Sequence, residues 1–172
     1  SAIGIVLKVE RMPLNVGICI CQGMVPLTAW NYGSGNWKRM REFISKSLFC
    51  GLTFAALCIV VYELFALDIA SVFISNRETA KLAADFLRVR ILATPLMFAS
   101  FFTVHLFQAL GQGGRALFLG IFRWLVFNIP MLYLLNVLMG QMGLVYSQSA
   151  ADLLTVTLSW MVWRRFTKKI NL

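Results

Sequence analysis

Charge is scarce in this chain, and negative charge scarcer still. Only 13% of the 172 residues are Asp, Glu, Lys or Arg; seven of these are acidic, sixteen are basic, and there is one histidine. A soluble domain of this length needs far more polar surface. No Ser-His-Asp set and no cluster of metal ligands is present, so the chain reads as a non-enzyme with no metal and no cofactor. No Walker sequence is present either, which argues against direct use of ATP. Gly111-Gln112-Gly113-Gly114-Arg115 is glycine-rich, but it follows an apolar run rather than a strand and reads as a tight turn. None of the apolar runs alternates with period two, which excludes barrel strands. No internal repeat or low-complexity tract occurs. Cys19, Cys21, Cys50 and Cys58 all lie in apolar runs and read as small buried hydrophobes; Cys19 and Cys21 would point to nearly opposite sides of a helix. No cleavable leader is recognisable, and the chain is already apolar from Ser1, as expected for the interior of a longer polypeptide.

What is abundant is hydrophobicity. Apolar residues make up 59% of the chain, and mean hydropathy is +0.76. They fall into five stretches, at about 12–30, 47–73, 86–110, 116–139 and 143–163. Each approaches the ~20 residues a helix needs to cross ~30 Å of hydrocarbon. Backbone groups in lipid must be satisfied within the segment, so the expectation is an all-α membrane protein with about five transmembrane helices. Its first partner is therefore the lipid bilayer. The basic residues flank these spans and form no aromatic-interleaved soluble surface, so no nucleic-acid partner is expected.

Lys and Arg also set an orientation. Five spans put Lys38, Arg39, Arg41, Lys46, Arg115, Arg123, Arg164, Arg165, Lys168 and Lys169 on one side, and Lys8, Arg11, Arg77, Lys81, Arg88 and Arg90 on the other. Ten against six makes the first side cytoplasmic, together with the C-terminus. Lys38 to Lys46 reads as a basic hinge, and the polar connection from Ile74 to Asp85 as room for a short interfacial helix.

Polar side chains inside spans are costly and mark candidate sites. Thr94, Phe98, Phe101, His105 and Gln108, continued by Gln112, recur at spacings of three and four and share one face of the third span. Such a half-polar, half-aromatic stripe suits a cavity for amphipathic molecules or, alternatively, a seam between helices. The first span carries Asn15, Cys19, Gln22 and Pro26 on one face, with Pro13 as a second kink candidate. His105 and Glu63 are the candidate ion-coupling groups. Arg123 reads as snorkelling to headgroups. Ser149 to Asp152 reads as a capping box at the start of the fifth span.

Three segments add a resemblance. Gln22-Gly23-Met24-Val25-Pro26-Leu27 leading to Asn31-Tyr32-Gly33-Ser34-Gly35-Asn36 and Lys38-Arg39-Met40 resembles the signature of the multidrug and toxin extrusion (MATE) family. Phe107-Gln108-Ala109-Leu110-Gly111-Gln112-Gly113 with Arg115-Ala116-Leu117 resembles the end of that family's tenth helix. Gly140-Gln141-Met142-Gly143-Leu144-Val145-Tyr146 with Ala150-Ala151-Asp152 resembles the entry to its last helix. The resemblance implies helices 8–12 of a twelve-helix carrier of two lobes that rock about a pseudo-two-fold axis. It also implies a multi-pass protein of the cell membrane, exporting cationic amphipathic drugs or metabolites in exchange for Na+ or H+, with a small organic cation as substrate and an amino-terminal lobe of the same polypeptide as partner. The amino-terminal lobe, where many members carry a functional acid, is absent from this sequence. Two alternatives remain: a lipid-linked oligosaccharide flippase of the same superfamily, which would need cationic groups in mid-span, and a non-transporting assembly or pore subunit.

Overall fold

The computed structural model describes residues 2–74 and 76–170, and the side chains of Lys168 and Lys169, counted above for orientation, lie outside the described residues. Seven α-helices follow one another: α1 (Ala2–Gly33), α2 (Trp37–Phe73), α3 (Arg77–Ile91), α4 (Thr94–Ala109), α5 (Gly113–Ile121), α6 (Ile129–Met139) and α7 (Gln141–Ile170). A π-helical segment, Phe122–Asn128, joins α5 to α6. Pro130 lies just beyond it and lacks the N–H that would bond the Val126 carbonyl, so one bond of the α ladder is missing where the π segment ends.

Helix ends follow local chemistry. Asn36 accepts a hydrogen bond from the Arg39 N–H at 3.3 Å and starts α2. Asn76 accepts from the N–H groups of Glu78 (3.0 Å) and Thr79 (3.3 Å) and starts α3, with Glu78 in the first turn and Arg88 and Arg90 in the last. Two expectations change here. Lys38 to Lys46 is no hinge but the opening of α2, braced by an exposed Lys46–Glu42 pair. The polar connection after Ile74 forms the first part of α3, a helix of fifteen residues that runs on into the third apolar stretch, and that stretch is not one rod. It is split between α3 and α4, which meet at 48° around Leu92 and Ala93, with Pro95 in the first turn of α4.

α1 runs through Pro13 and Pro26 without a break. Pro13 cannot donate to the Val9 carbonyl four residues earlier. The Tyr62 hydroxyl of α2 donates to that carbonyl instead, at 3.3 Å. A backbone group that the proline would leave bare in lipid is thus satisfied by the neighbouring helix.

The helices pack in a chain of neighbours: α1 on α2, α3 and α4, α4 on α7, and α6 on α7. Where α1, α2 and α3 meet, the buried residues are mostly small: Ala66, Ala70, Ala80, Ala83 and Ala84 around Phe86 and Leu87. Small residues let helix backbones approach closely in lipid, where hydrophobicity itself does not drive association. Around α4 the core is larger, with Cys21, Met24, Met40, Phe98, Phe102, Leu106 and Phe107.

The outside is as informative as the core. Val72, Phe49 and Tyr133 are 78%, 74% and 73% exposed. Glu10, Arg90, Arg123 and Asp152 are buried. Apolar side chains outside and charges inside invert the pattern of a water-soluble protein. Among the described residues, α1, α2 and the rod from α5 to α6 are each long and apolar enough to cross a bilayer, and the α3–α4 pair, bent by 48°, is so only as a unit; α7, which holds the fifth apolar stretch, does not reach that threshold. The molecule is an all-α membrane bundle.

Candidate functional site: a polar seam behind helix α4

The stripe on α4 divides along its length. Thr94 and Phe98 are buried, Phe101 and His105 half-buried, and Gln108 exposed. The Phe98 ring lies against Gly17 of α1 and Gly51 of α2. A Cβ at Gly51 would fall within the Phe98 ring, so glycine there is a requirement of close approach. Thr94, Phe98 and Phe101 border a cavity of about 10 Å³ with Pro13, Gly17 and Gly51, room for no more than a water. This end of the stripe is a packed seam. The other end is open: Gln108 and Val104 line a groove of about 500 Å³ with Gly120 and Trp124.

His105 Nδ1 donates to the Phe101 carbonyl of its own helix at 2.8 Å, which leaves Nε2 for outside partners. Asn15, Cys19, Gln22 and Pro26 are all exposed, so this face of α1 is turned away from the bundle and does not meet the buried end of the α4 stripe. Glu63 is also partly exposed; its nearest cation is Arg88, at 3.8 Å.

Four charges sit inside. Arg90 Nε donates to Glu10 Oε2 at 2.7 Å, joining α3 to α1. Arg123 Nε donates to Asp152 Oδ1 at 2.8 Å, joining the π-helical segment to α7. The Arg123 guanidinium also lies over the Phe101 ring, 3.9 Å from its centroid. Ser100 donates to the Asp152 backbone carbonyl at 3.3 Å, and Gln148 and Ser100 both stand beside the carboxylate. Each of the two pairs matches one positive group with one negative group across two elements.

These residues correct two expectations. Asp152 caps nothing: α7 begins at Gln141, and the acid sits about 16 Å along it. Arg123 does not snorkel to headgroups, being 3% exposed with its charge turned inward. Arg90, counted above for orientation, is likewise internal, as is Glu10. The signal available in the sequence was a single charge of opposite sign in each of two successive spans, a pattern that favours pairing across helices. Each had been accounted for locally, which hid the partner.

A bundle with lipid-facing apolar residues and paired charges between its helices is a multi-pass membrane protein. Residues 1–134 match the MatE family model, and the chain belongs to the MatE family of transporters. It is 27% identical over 152 residues to the multidrug export protein MepA of Staphylococcus saprophyticus, covering 88% of this chain and 33% of that protein. It is 25% identical to MepA of Staphylococcus aureus, over 94% of this chain and 36% of that one. The chain thus spans about a third of the length of the curated relatives it matches. Among solved structures, a mutant of the Vibrio cholerae MATE transporter VcmN superposes with a TM-score of 0.89 at 18% identity, over 98% of this chain and 38% of that one. A MATE transporter of the MOP superfamily superposes in its inward-facing form at 0.80 (19% identity, 99% and 39% covered) and in its outward-facing form at 0.84 (19%, 97% and 39%).

Proposed function

We propose that this chain is the carboxy-terminal lobe of an antiporter that exports cationic amphipathic drugs or metabolites in exchange for Na+ or H+. The observation that carries this reading is the uncovered polar face of α1. Asn15 and Gln22 lie on a membrane-spanning helix and are exposed in this lobe. Polar amides facing hydrocarbon are costly, so this face belongs against an aqueous cavity or a second lobe. The half-buried Phe101 and His105 and the exposed Gln108 supply rings and hydrogen-bonding groups from α4, the mixture that holds a flat organic cation. Thr94 and Phe98 shape the wall from behind. Export proteins among the relatives, and likeness to carriers in both inward- and outward-facing forms, support alternating access with this lobe moving largely as one body.

The orientation is part of the proposal. With Arg123 and Arg90 internal, ten against six becomes nine against five, and the C-terminus and the α1–α2 connection remain on the cytoplasmic side. The flippase reading gains no support from these two arginines: each is bonded to an acid, and neither offers a free charge to a pyrophosphate.

The test is dye efflux from cells carrying the complete polypeptide. Gln22→Ala, His105→Ala and Gln108→Ala should each reduce efflux of at least one cationic dye several-fold at unchanged surface expression. Full efflux of every dye by all three variants would remove these residues from the cavity.

A further inference from the structure

The stripe from Thr94 to Gln108 occupies one side of α4. Another side, roughly 130° away around the helix, carries Ala99, Phe102, Thr103 and Leu106. There α2 and α7 each pack on α4 and leave a groove of about 250 Å³ between them. Its walls are Ile44 and Leu48 of α2, Phe102 and Leu106 of α4, and Trp160 and Trp163 of α7. The lining is apolar. The hydroxyl of Thr103, which also borders the groove, donates back to the Ala99 carbonyl of its own helix at 2.6 Å.

The mouth of the groove has a different chemistry. On α2, Trp37, Arg41, Ile44 and Leu48 recur at spacings of four, three and four, so Arg41 continues the groove wall one turn towards the start of the helix. On α7, Val156, Trp160 and Arg164 recur at fours, and the Arg164 guanidinium lies over the Trp160 ring, 3.6 Å from its centroid. Met40, Phe107 and Trp163 share one core, so both arginines emerge at the same end of the bundle. Both are exposed. The acid next to Arg41, Glu42, is held by Lys46 at 2.6 Å.

We propose that this groove seats one acyl chain of an anionic phospholipid, whose phosphate is held at the mouth by Arg41 and Arg164. The depth fits a chain: Val156 to Arg164 covers about 12 Å of helix, close to the ~15 Å of hydrocarbon in one leaflet. The head fits as well. A guanidinium stacked by its face on a ring keeps its N–H edge in plane, the geometry that phosphate oxygens accept. Tryptophans prefer the level of the headgroups, and basic pockets between helices on the cytoplasmic side suit anionic lipids. The two arginines repel an organic cation, which separates this groove from the exposed Gln108 on the other side of α4. The seated lipid ties α2 to α7, which otherwise meet through α4. The inference needs a bundle that spans a bilayer; it does not rest on the antiporter reading.

The experiment is quenching of tryptophan fluorescence by dibrominated lipids, with the complete polypeptide in phosphatidylcholine vesicles. The signal of Trp160 and Trp163 is the difference between the wild type and the double variant Trp160→Phe, Trp163→Phe. Dibrominated phosphatidylglycerol should quench it at a lower mole fraction than dibrominated phosphatidylcholine, by about fivefold for each arginine engaged. Arg41→Gln with Arg164→Gln should bring the two quenching curves together and leave the phosphatidylcholine curve unchanged. Ala99→Phe fills the groove while keeping both arginines, and should also abolish the preference. If that variant does not fold, the arginine pair decides. A preference that survives Ala99→Phe comes from surface charge alone and overturns the proposal, as does one that survives loss of both arginines. Equal quenching of the wild type by the two lipids means ordinary solvation by bulk lipid. No quenching by either means that another part of the polypeptide, or a second copy, covers the groove. Each of these last two results overturns the proposal and leaves the antiporter reading intact.

Discussion

Phe98 and Arg123 each reach from one helix towards its neighbours, but what receives them differs in kind. Phe98 enters a notch made by two missing side chains, at Gly17 and Gly51, and lies tilted against the Phe102 ring. Arg123 is received by a carboxylate and a ring, with one donor left over. The first contact depends on shape and the second on charge. The largest expected differences between these two seams come from removing one member of each.

Asp152→Ala should have the greatest effect on stability. It strands the Arg123 guanidinium in a buried site, at a cost of about 3–5 kcal/mol. Replacing both partners by apolar residues, Arg123→Met with Asp152→Leu, should recover most of this loss in equilibrium unfolding from mixed micelles. If the single variant is as stable as the wild type, water must reach Arg123 freely and the charged seam is not a buried one.

Gly51→Ala tests the seam made by shape. The added methyl overlaps the Phe98 ring, and overpacking of this kind costs about 1–3 kcal/mol. A smaller residue in the notch, Phe98→Leu, should make the methyl tolerable, so the two changes should combine to less than their sum. The loss should be independent of pH. Additive losses from the two would mean that Phe98 leaves its notch readily and that α1, α2 and α4 are held by other contacts.

The two seams were also unequally legible in the sequence. That the third apolar stretch carries a face from Thr94 to Gln108 follows from helical spacing alone, because positions three and four apart share a face wherever the helix lies. Which part of that face is covered does not follow, since Gly17 and Gly51 belong to other helices and a glycine announces space without saying what fills it. The spans themselves were readable because hydrocarbon sets their length and composition. Their ends were not: α2 begins ten residues before its apolar stretch, and α3 is a helix of mixed polarity that composition assigns to a connection. The two internal ion pairs were the hardest part to read. Glu10 and Arg90 are eighty residues apart, Arg123 and Asp152 twenty-nine, and each charge has a plausible local account until its partner is in view. Local rules such as capping and snorkelling explain a charge by its nearest neighbours in the chain. Inside a bundle the partner comes from the neighbouring helix.

Tyr62→Phe gives the smallest effect and the cleanest test of that last point. The hydroxyl reaches across from α2 to the Val9 carbonyl, which Pro13 deprives of its helical donor. Its removal should cost about 0.5–1.5 kcal/mol, the net worth of one hydrogen bond. The argument is about the proline, however, and not about the tyrosine alone. Pro13→Ala restores an N–H to α1 and gives the Val9 carbonyl a donor within its own helix. In that background Tyr62→Phe should cost little, and the coupling between the two positions, read from a double-mutant cycle, should account for most of the hydroxyl's contribution. Equal costs of Tyr62→Phe with and without Pro13 would show that the hydroxyl serves another partner. The carbonyl freed by the proline would then have to be satisfied by water entering between α1 and α2.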